Sequence, residues 1–509
     1  MTLVITARSL RNSPIKVSSW TLIPQCLRRK SSHRCHRSAT YRLSRSYMPV
    51  FLALGFGSVL GLSFTVHELH AEERQDLLLG ANKEDIKHPR ITNLWERPGV
   101  YVWGSNKEGL LDPETKKDCL ITAISMKAFE GQALRDLYLG ENYGVVVNAD
   151  GDLIQWGSAY SNGELPEKTL AGKNIMKISI ALDRIFALSR DGKVYVMPLS
   201  KDAQQASSMP SESSWIPFLG SMAKTSFQVL DIPLHWGEKI SDITTNTSMS
   251  LFATSKGRLF IQYPNTKPTE VKSLNDVQIS QVTSGDSHAL ARSTNGKVFT
   301  IGSNTFGQLG LEYSTTNVSQ NELTQQPLST LYLGQSSRIC TDVSAGGNTT
   351  YFTVISPTGG IDVWACGFGQ TGQLGNNAWT QAQGLPVKLG KISGLSEYIE
   401  KLHSSMPIIP RYLSTSSSHT FIVLDSSASG FGNDVYAIGS NYDYQLGTGK
   451  RNSINSPTAI PGLDGGRMQL MPKRKMKCKT PNGKMKNMNV EQRIWAGKKV
   501  SVIYTAVVQ

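Results

Sequence analysis

Two histidines stand where a catalytic reading suggests itself. His288 ends the run Ser-Gly-Asp-Ser-His and His419 ends Ser-Ser-Ser-His, so each has hydroxyls close by in the chain, the raw material of a base-activated nucleophile. The run Gly367-Phe-Gly-Gln-Thr-Gly has the glycine density of a phosphate-cradling loop, but no Lys-Ser/Thr follows it and no helix start succeeds it. His33, Cys35 and His36 are metal-ligand types in an Arg-rich leader, and the six cysteines include no CxxC pair. No Ser/His/Asp order, paired carboxylates or metal cluster rises above this background. The expectation is therefore no catalytic residue, no metal, no cofactor and no enzyme. The most distinctive charged feature is Arg467–Lys486, where Lys473, Arg474, Lys475, Lys477, Lys479, Lys484 and Lys486 alternate with methionines. It reads as a loop for anions or a partner: anionic lipid, RNA or an acidic protein would each use these charges. A plain solvated loop is the alternative.

What must position these residues is a repeat. Val282–Gly310 holds two strand-like runs separated by Asn295-Gly296, then a loop ending Gly307-Gln-Leu-Gly310. The order recurs at Val343–Gly375 and at Leu413–Gly447, with weaker copies at Leu137–Gly157, Ile178–Met197 and Ile243–Gln262. The position after the second run falls at Gly104, Gly157, Met197, Gln262, Gly302, Gly367 and Gly439, which makes seven units. His288 and His419 occupy one place in their repeats, which favours a repeated structural hydrogen bond. Gly302, Gly307, Gly310, Gly367, Gly372, Gly375, Gly439 and Gly447 read as turn and close-approach positions, joined by Gly104 and Gly157 after the packing residues Trp103 and Trp156. Leu199–Trp215 and Glu312–Arg338, rich in Ser, Gln and Asn, read as surface loops.

The first unit lacks its preceding strand, and Ile494–Val508 supplies it. A sheet built from both chain ends closes a ring and leaves no free edge. The expected fold is all-β: a seven-bladed β-propeller closed by N- and C-terminal strands, preceded by one transmembrane helix and a presequence.

The chain has 509 residues and a net charge of +14, concentrated in two places. Ten basic and no acidic residues lie between Met1 and His67, and eight basic and no acidic residues between Gly465 and Asn489, so the rest is mildly acidic. A uniformly basic face for DNA is disfavoured. Residues 1–47, rich in Arg and Ser, have the composition of a mitochondrial presequence. Residues 48–66 are uncharged and long enough to span a bilayer as a helix, with Met48, Leu52, Leu54 and Val66 as anchor residues and Gly57 and Gly61 on one helix face. Residues 67–97 form a charged linker and 98–509 the propeller, carrying the basic insertion 465–489. Arginines before the span and glutamates after it put the large C-terminal part in the intermembrane space. A secretory signal anchor is the competing address, given the triplets starting at Asn246, Asn317 and Asn348.

The Gly-x-x-His, Val-Tyr-x-Trp-Gly-x-Asn and Gly-Gln-Leu-Gly signature resembles the regulator-of-chromosome-condensation repeat, a seven-bladed propeller family. Three copies are sharp; Gly163-Glu-Leu-Pro replaces the last motif in the second unit, and the third and fourth have lost it. With a presequence and one span, the chain is similar to a fungal mitochondrial inner-membrane branch of that family. The resemblance implies a non-enzymatic docking or assembly factor supporting respiratory complex III, with inner-membrane complex subunits or assembly intermediates as partners. It also implies one alternative, a nucleotide-exchange factor for a mitochondrial GTPase; the basic segment 465–489 offers a second, an RNA- or ribosome-associated factor.

Overall fold

The computed structural model describes residues 94–508, apart from 162, 164, 207–226, 312–318, 326–338, 356–358, 400–402, 426–431 and 463–465. The expected presequence and apolar segment, with Met48, Leu52, Leu54, Gly57, Gly61 and Val66, lie outside the described residues. Among the described residues no helix is long and apolar enough to cross a membrane.

Runs of β-branched and aromatic residues make this part of the chain almost all strand. It opens with β1 (Val100–Ser105) and β2 (Cys119–Ser125). Antiparallel sheets follow in chain order: β3 (Leu134–Leu139), β4 (Gly144–Asn148), β5 (Leu153–Trp156) and β6 (Glu167–Leu170); then β7 (Ile175–Ala181), β8 (Arg184–Ser189), β9 (Val194–Pro198) and β10 (Gln228–Val229). The next are β11 (Ile240–Thr245), β12 (Ser250–Thr254), β13 (Leu259–Gln262) and β14 (Thr269–Glu270); then β15 (Ile279–Ser284), β16 (His288–Ser293), β17 (Val298–Ser303) and β18 (Ser319–Gln325). After β19 (Ile339–Gly346), β20 (Thr349–Ile355), β21 (Ile361–Gly367) and β22 (Gln383–Lys388) comes a separate hairpin, β23 (Ser396–Ile399) and β24 (Ser404–Pro407). The last sheets hold β25 (Ile409–Thr415), β26 (His419–Asp425), β27 (Asn433–Gly439), β28 (Ile454–Ala459) and β29 (Gln469–Leu470), followed by β30 (Arg474–Lys479), β31 (Met485–Ala496) and β32 (Val500–Val507).

The first and last strands of the described fold meet. β32 lies between β31 and β1, pairing Val100 with Tyr504 through Gly104 with Val500 on one side and Val490 with Val507 through Ala496 with Ser501 on the other. β32 is buried along nearly its whole length, as a strand covered on both faces must be. One parallel bridge, Leu134 to Ala506, joins it to β3. The first strands of successive sheets lie side by side: β3 by β7, then β11, β15, β19, β25 and β31. Apolar side chains fill the space between sheets; Trp103 meets Phe421 edge-on with ring centres 6.2 Å apart, and Phe129 meets Trp156 at 5.3 Å.

Three segments expected to be loops carry regular structure. Residues 319–325 within Glu312–Arg338 pair with β17 as the outer strand of their sheet. A short helix α1 (Lys201–Ala206) lies within Leu199–Trp215, where buried Gln204 donates to Gln155 Oε1 (3.0 Å) and Pro198 O (2.8 Å). Backbone pairing in the first and this buried amide anchor in the second override polar composition. The basic segment forms the hairpin of β30 and the first half of β31, so it prolongs a sheet instead of hanging free.

Candidate functional site

The two histidines are built into the contacts between sheets. His288 on β16 is fully buried, and its Nε2 lies 2.7 Å from Thr350 Oγ1 on β20 of the following sheet. Thr350 donates its hydroxyl proton to Gln308 O at 2.7 Å, so His288 Nε2 must be the donor and Nδ1 the bare nitrogen. His419 on β26 repeats this: Nε2 lies 2.9 Å from Ser501 Oγ on β32, and Ser501 donates to Gln445 O at 2.6 Å. Ser416 Oγ lies 3.0 Å from the Nδ1 of His419. Burial pushes both imidazoles down to about 3, so both are neutral at physiological pH. Fully buried rings bound to the next sheet are placed as ties, not as solvent-facing bases. Asn246, the head of one glycosylation-like triplet, is also buried and donates to His288 O at 2.9 Å.

The rest of the repeated signature has equally local reasons. Asn304 Oδ1 accepts Leu309 N at 3.0 Å, Asn441 Oδ1 accepts Leu446 N at 2.9 Å, and Asn106 Oδ1 accepts Leu111 N at 3.0 Å, so an asparagine closes three of these loops, while Gly369 stands at that place in the Gly372-Gln-Leu-Gly375 copy. Gln308, Gln373 and Gln445 each use their side-chain oxygen to accept the N–H two residues upstream. Trp103 and Trp156 donate their indole N–H to Gln445 O (3.0 Å) and Leu110 O (3.1 Å), the loops of the neighbouring sheets. Gly302 and Gly104 adopt φ of 106° and 109°, and a Cβ there would come 2.5 Å from Ser287 O and Lys499 O. Gly157, Gly367 and Gly439 share that conformation, while Gly307, Gly310, Gly372, Gly375 and Gly447 carry the positive φ of the loop itself.

Sequence reading missed a girdle at the bulge of the first strands. The pairing shifts register just before Asp136, Lys177, Asp242, Gln281, Asp342 and Tyr412. Asp136 Oδ2 accepts Ile178 N at 2.8 Å, Asp242 Oδ2 accepts Val282 N at 3.0 Å, and the Tyr412 hydroxyl accepts Ile494 N at 2.8 Å. Lys177 Nζ pairs with Asp242 Oδ1 at 2.5 Å, and Gln281 Nε2 donates to Asp342 Oδ1 at 2.7 Å. Burial raises the Asp136 and Asp342 carboxyls, opposed by the hydrogen bonds they accept. Lys177 is raised although burial pulls it down, because Asp242 holds its proton. The available signal was a polar or hydroxylated residue directly before Leu137, Ile178, Ile243, Val282, Val343 and Leu413 in each repeat. These girdle contacts link β3 to β7, β7 to β11, β11 to β15, β15 to β19 and β25 to β31.

The basic residues do come together. β30 pairs with β31 from Arg474 with Val490 to Lys479 with Met485, and Thr480–Lys484 makes the turn. Alternation sorts the ribbon into two faces. Met476, Cys478, Met488 and Val490 pack with Trp95, Ala133 and Met471, and burial pushes the Cys478 thiol up to about 11. Lys475, Lys477 and Lys479 occupy the other face with Asn487, Asn489 and Met485, all exposed. Arg474 is fastened to Trp95 O by its guanidinium; Lys473, Lys484 and Lys486 are exposed around the turn and base. The described fold begins at this ribbon: Gln492 Nε2 donates to Leu94 O at 2.6 Å, and Trp95 Nε1 donates to Gln469 O at 2.9 Å. Leu94–Arg97, the end of the expected linker, thus already belongs to the fold. Among the described residues no group of His, Cys, Asp and Glu is arranged to hold a metal ion.

These repeated ties belong to an all-β fold that resembles RCC1-like propellers. The regulator of chromosome condensation (RCC1) repeat matches residues 279–308, 295–352 and 433–471, and the chain carries these repeats. Among proteins of known name it is similar to FMP25, a mitochondrial protein of Saccharomyces cerevisiae, at 25% identity over 72% of this chain and 67% of that protein. It is similar to the ultraviolet-B receptor UVR8 of Arabidopsis thaliana at 25% identity, over 42% of this chain and half of that receptor. The mouse E3 ubiquitin-protein ligase HERC2 matches at 22% identity, over 58% of this chain but 7% of the ligase. In solved structures the fold resembles human WBSCR16 (TM-score 0.55, 16% identity, 81% of this chain and 99% of that one). It also resembles yeast RCC1 (Prp20) bound to Kap60 (TM-score 0.54, 15% identity, 84% and 92%).

Proposed function

We propose that this chain is a non-enzymatic docking and assembly factor of the mitochondrial inner membrane, supporting assembly of respiratory complex III. Similarity to a yeast mitochondrial protein across 72% of the chain carries the reading. In it, residues 1–47 are the presequence, 48–66 a single membrane-spanning helix, 67–97 the linker and 98–509 a seven-bladed propeller closed by the strands of both termini. The pairing of β1 with β32 supports the closure. The leader composition and the charge-free apolar run support the address and the anchor. The propeller faces the intermembrane space; protease added to mitoplasts should digest it, and protection behind an intact inner membrane would reverse that orientation.

The mechanism is binding. A rigid body held beside the membrane presents loops and faces to membrane-embedded clients. The deciding experiment recovers a tagged full chain from mitochondria in mild detergent and identifies its companions by mass spectrometry. Complex III subunits or assembly intermediates are the expected companions. A GTPase retained mainly after nucleotide removal would replace this reading with nucleotide exchange, and RNase-sensitive ribosomal proteins would replace it with the RNA alternative.

A further inference from the structure

We propose that the ribbon face bearing Lys475, Lys477 and Lys479, with Met485 beside them, docks on an anionic phospholipid surface. This deepens the membrane-tethered reading and rests on it. Alternate residues on a strand lie ~7 Å apart, so the three lysines leave one face of a hydrogen-bonded ribbon in sequence along it. The opposite face is already occupied by Trp95, Ala133 and Met471, so the row cannot turn inward. None of Lys473, Lys475, Lys477, Lys479, Lys484 and Lys486 takes part in an ion pair among the described residues, whereas lysines such as Lys168, Lys177 and Lys388 are paired. From Gly465 to Asn489 there is no acidic residue to neutralise the row.

Composition selects the kind of anion. Protein interfaces deplete lysine at their centre and rely on aromatic or arginine anchors, and single-stranded RNA needs aromatic stacking platforms. This face holds lysines, two asparagines and one methionine, with no aromatic and no arginine. Smeared negative charge needs no such anchors: every lysine near an anionic bilayer adds to the attraction. Met485, cross-strand from Lys479 and 62% exposed, supplies an apolar contact at the turn end. Position agrees. The first described residues after the apolar run 48–66 in the chain, Leu94 and Trp95, are clamped to this ribbon.

The test places the full chain in vesicles of phosphatidylcholine, alone or mixed with phosphatidylglycerol, and measures lysine acylation residue by residue by mass spectrometry. Lys475, Lys477 and Lys479 should react roughly fivefold more slowly with the anionic vesicles, while exposed Lys272, Lys297 and Lys391 react equally with both. The protection should vanish near 1 M salt, where the Debye length is ~3 Å. A Lys475→Glu, Lys477→Glu, Lys479→Glu chain should keep its melting temperature and react alike in both vesicle types at Lys484. Equal reactivity of the wild-type row in both vesicle types overturns the proposal. So does stronger protection by soluble polyglutamate or single-stranded RNA than by anionic vesicles, which would assign the row to an acidic protein or to RNA. Flotation with neutral vesicles at high salt reads the apolar anchor separately: a chain that fails to float there, yet is protected on anionic vesicles, loses the anchor and keeps the ribbon.

Discussion

His288 and His419 tie the second strand of one sheet to the second strand of the next, and that role has a pH signature. Unfolded imidazoles protonate near 6.5, while these two resist protonation down to about 3. Between those values the unfolded state binds more protons, so the stability tied to their burial is complete above pH 6.5 and is lost as pH falls toward 3. Each ring contributes a slope of up to ~1.4 kcal/mol per pH unit. The melting temperature measured from pH 7 to pH 5 should therefore drop less steeply in a His288→Gln, His419→Gln double variant than in the wild type; identical slopes would mean that the rings titrate in solvent. Asn441→Ala removes the acceptor for Leu446 N and the amide that binds Thr448 Oγ1 at 3.0 Å. Urea unfolding should show a loss of ~1–3 kcal/mol, with no comparable change for exposed Lys391→Ala.

Among the elements, β32 bears the most consequence, because it is flanked by β31 on one side and β1 on the other. Removing residues 494–509 strips both partners and exposes the apolar side chains of Val100, Val102 and Trp103. Circular dichroism should then show no cooperative melt for the truncated chain, and a retained sharp transition would refute closure by the termini. The ribbon allows a contrasting prediction from its two faces. Cys478→Asp buries a charge against Ala133 and Val490 and should lower the melting temperature by several degrees, whereas the triple Lys→Glu change on the outer face should leave it unaltered. Both faces were legible in Arg474-Lys-Met-Lys-Cys-Lys479, whose period of two and following Pro-Asn-Gly turn spell a hairpin. Charge density masked that pattern, since composition says how a segment is solvated and not whether its backbone finds a partner.

For the whole molecule, the girdle makes the sheets depend on one another. Asp242 joins three of them: Lys177 from the sheet before, its own β11, and Val282 N from the sheet after. Lys177 keeps 43% of its side chain exposed, so the ion pair itself is partly screened, and the backbone hydrogen bonds carry more of the effect. Asp242→Ala should lower the unfolding free energy by ~1–3 kcal/mol while leaving a single transition. Calorimetry that resolved separate transitions would show that the sheets unfold independently. A body of this kind suits docking, because rigid faces reduce the ordering cost of association.

The amino-acid sequence by itself determined the repeat, the strand pattern and the pairing of the two chain ends, because alternation, Asn-Gly turns and glycine-bearing loops act over a few residues. It also marked the two basic segments, since charge is a property of composition. Tertiary structure alone decided what the marked residues do. His288 became a tie only when Thr350, sixty-two positions away, met its Nε2. Asp136 and Asp242 became stitches only when the next first strand brought Ile178 and Val282 within reach. The lysine row became an outward face only when Trp95 and Ala133 filled the inward one. Local pattern sets which way a side chain leaves the backbone; what it meets there is set by segments far along the chain.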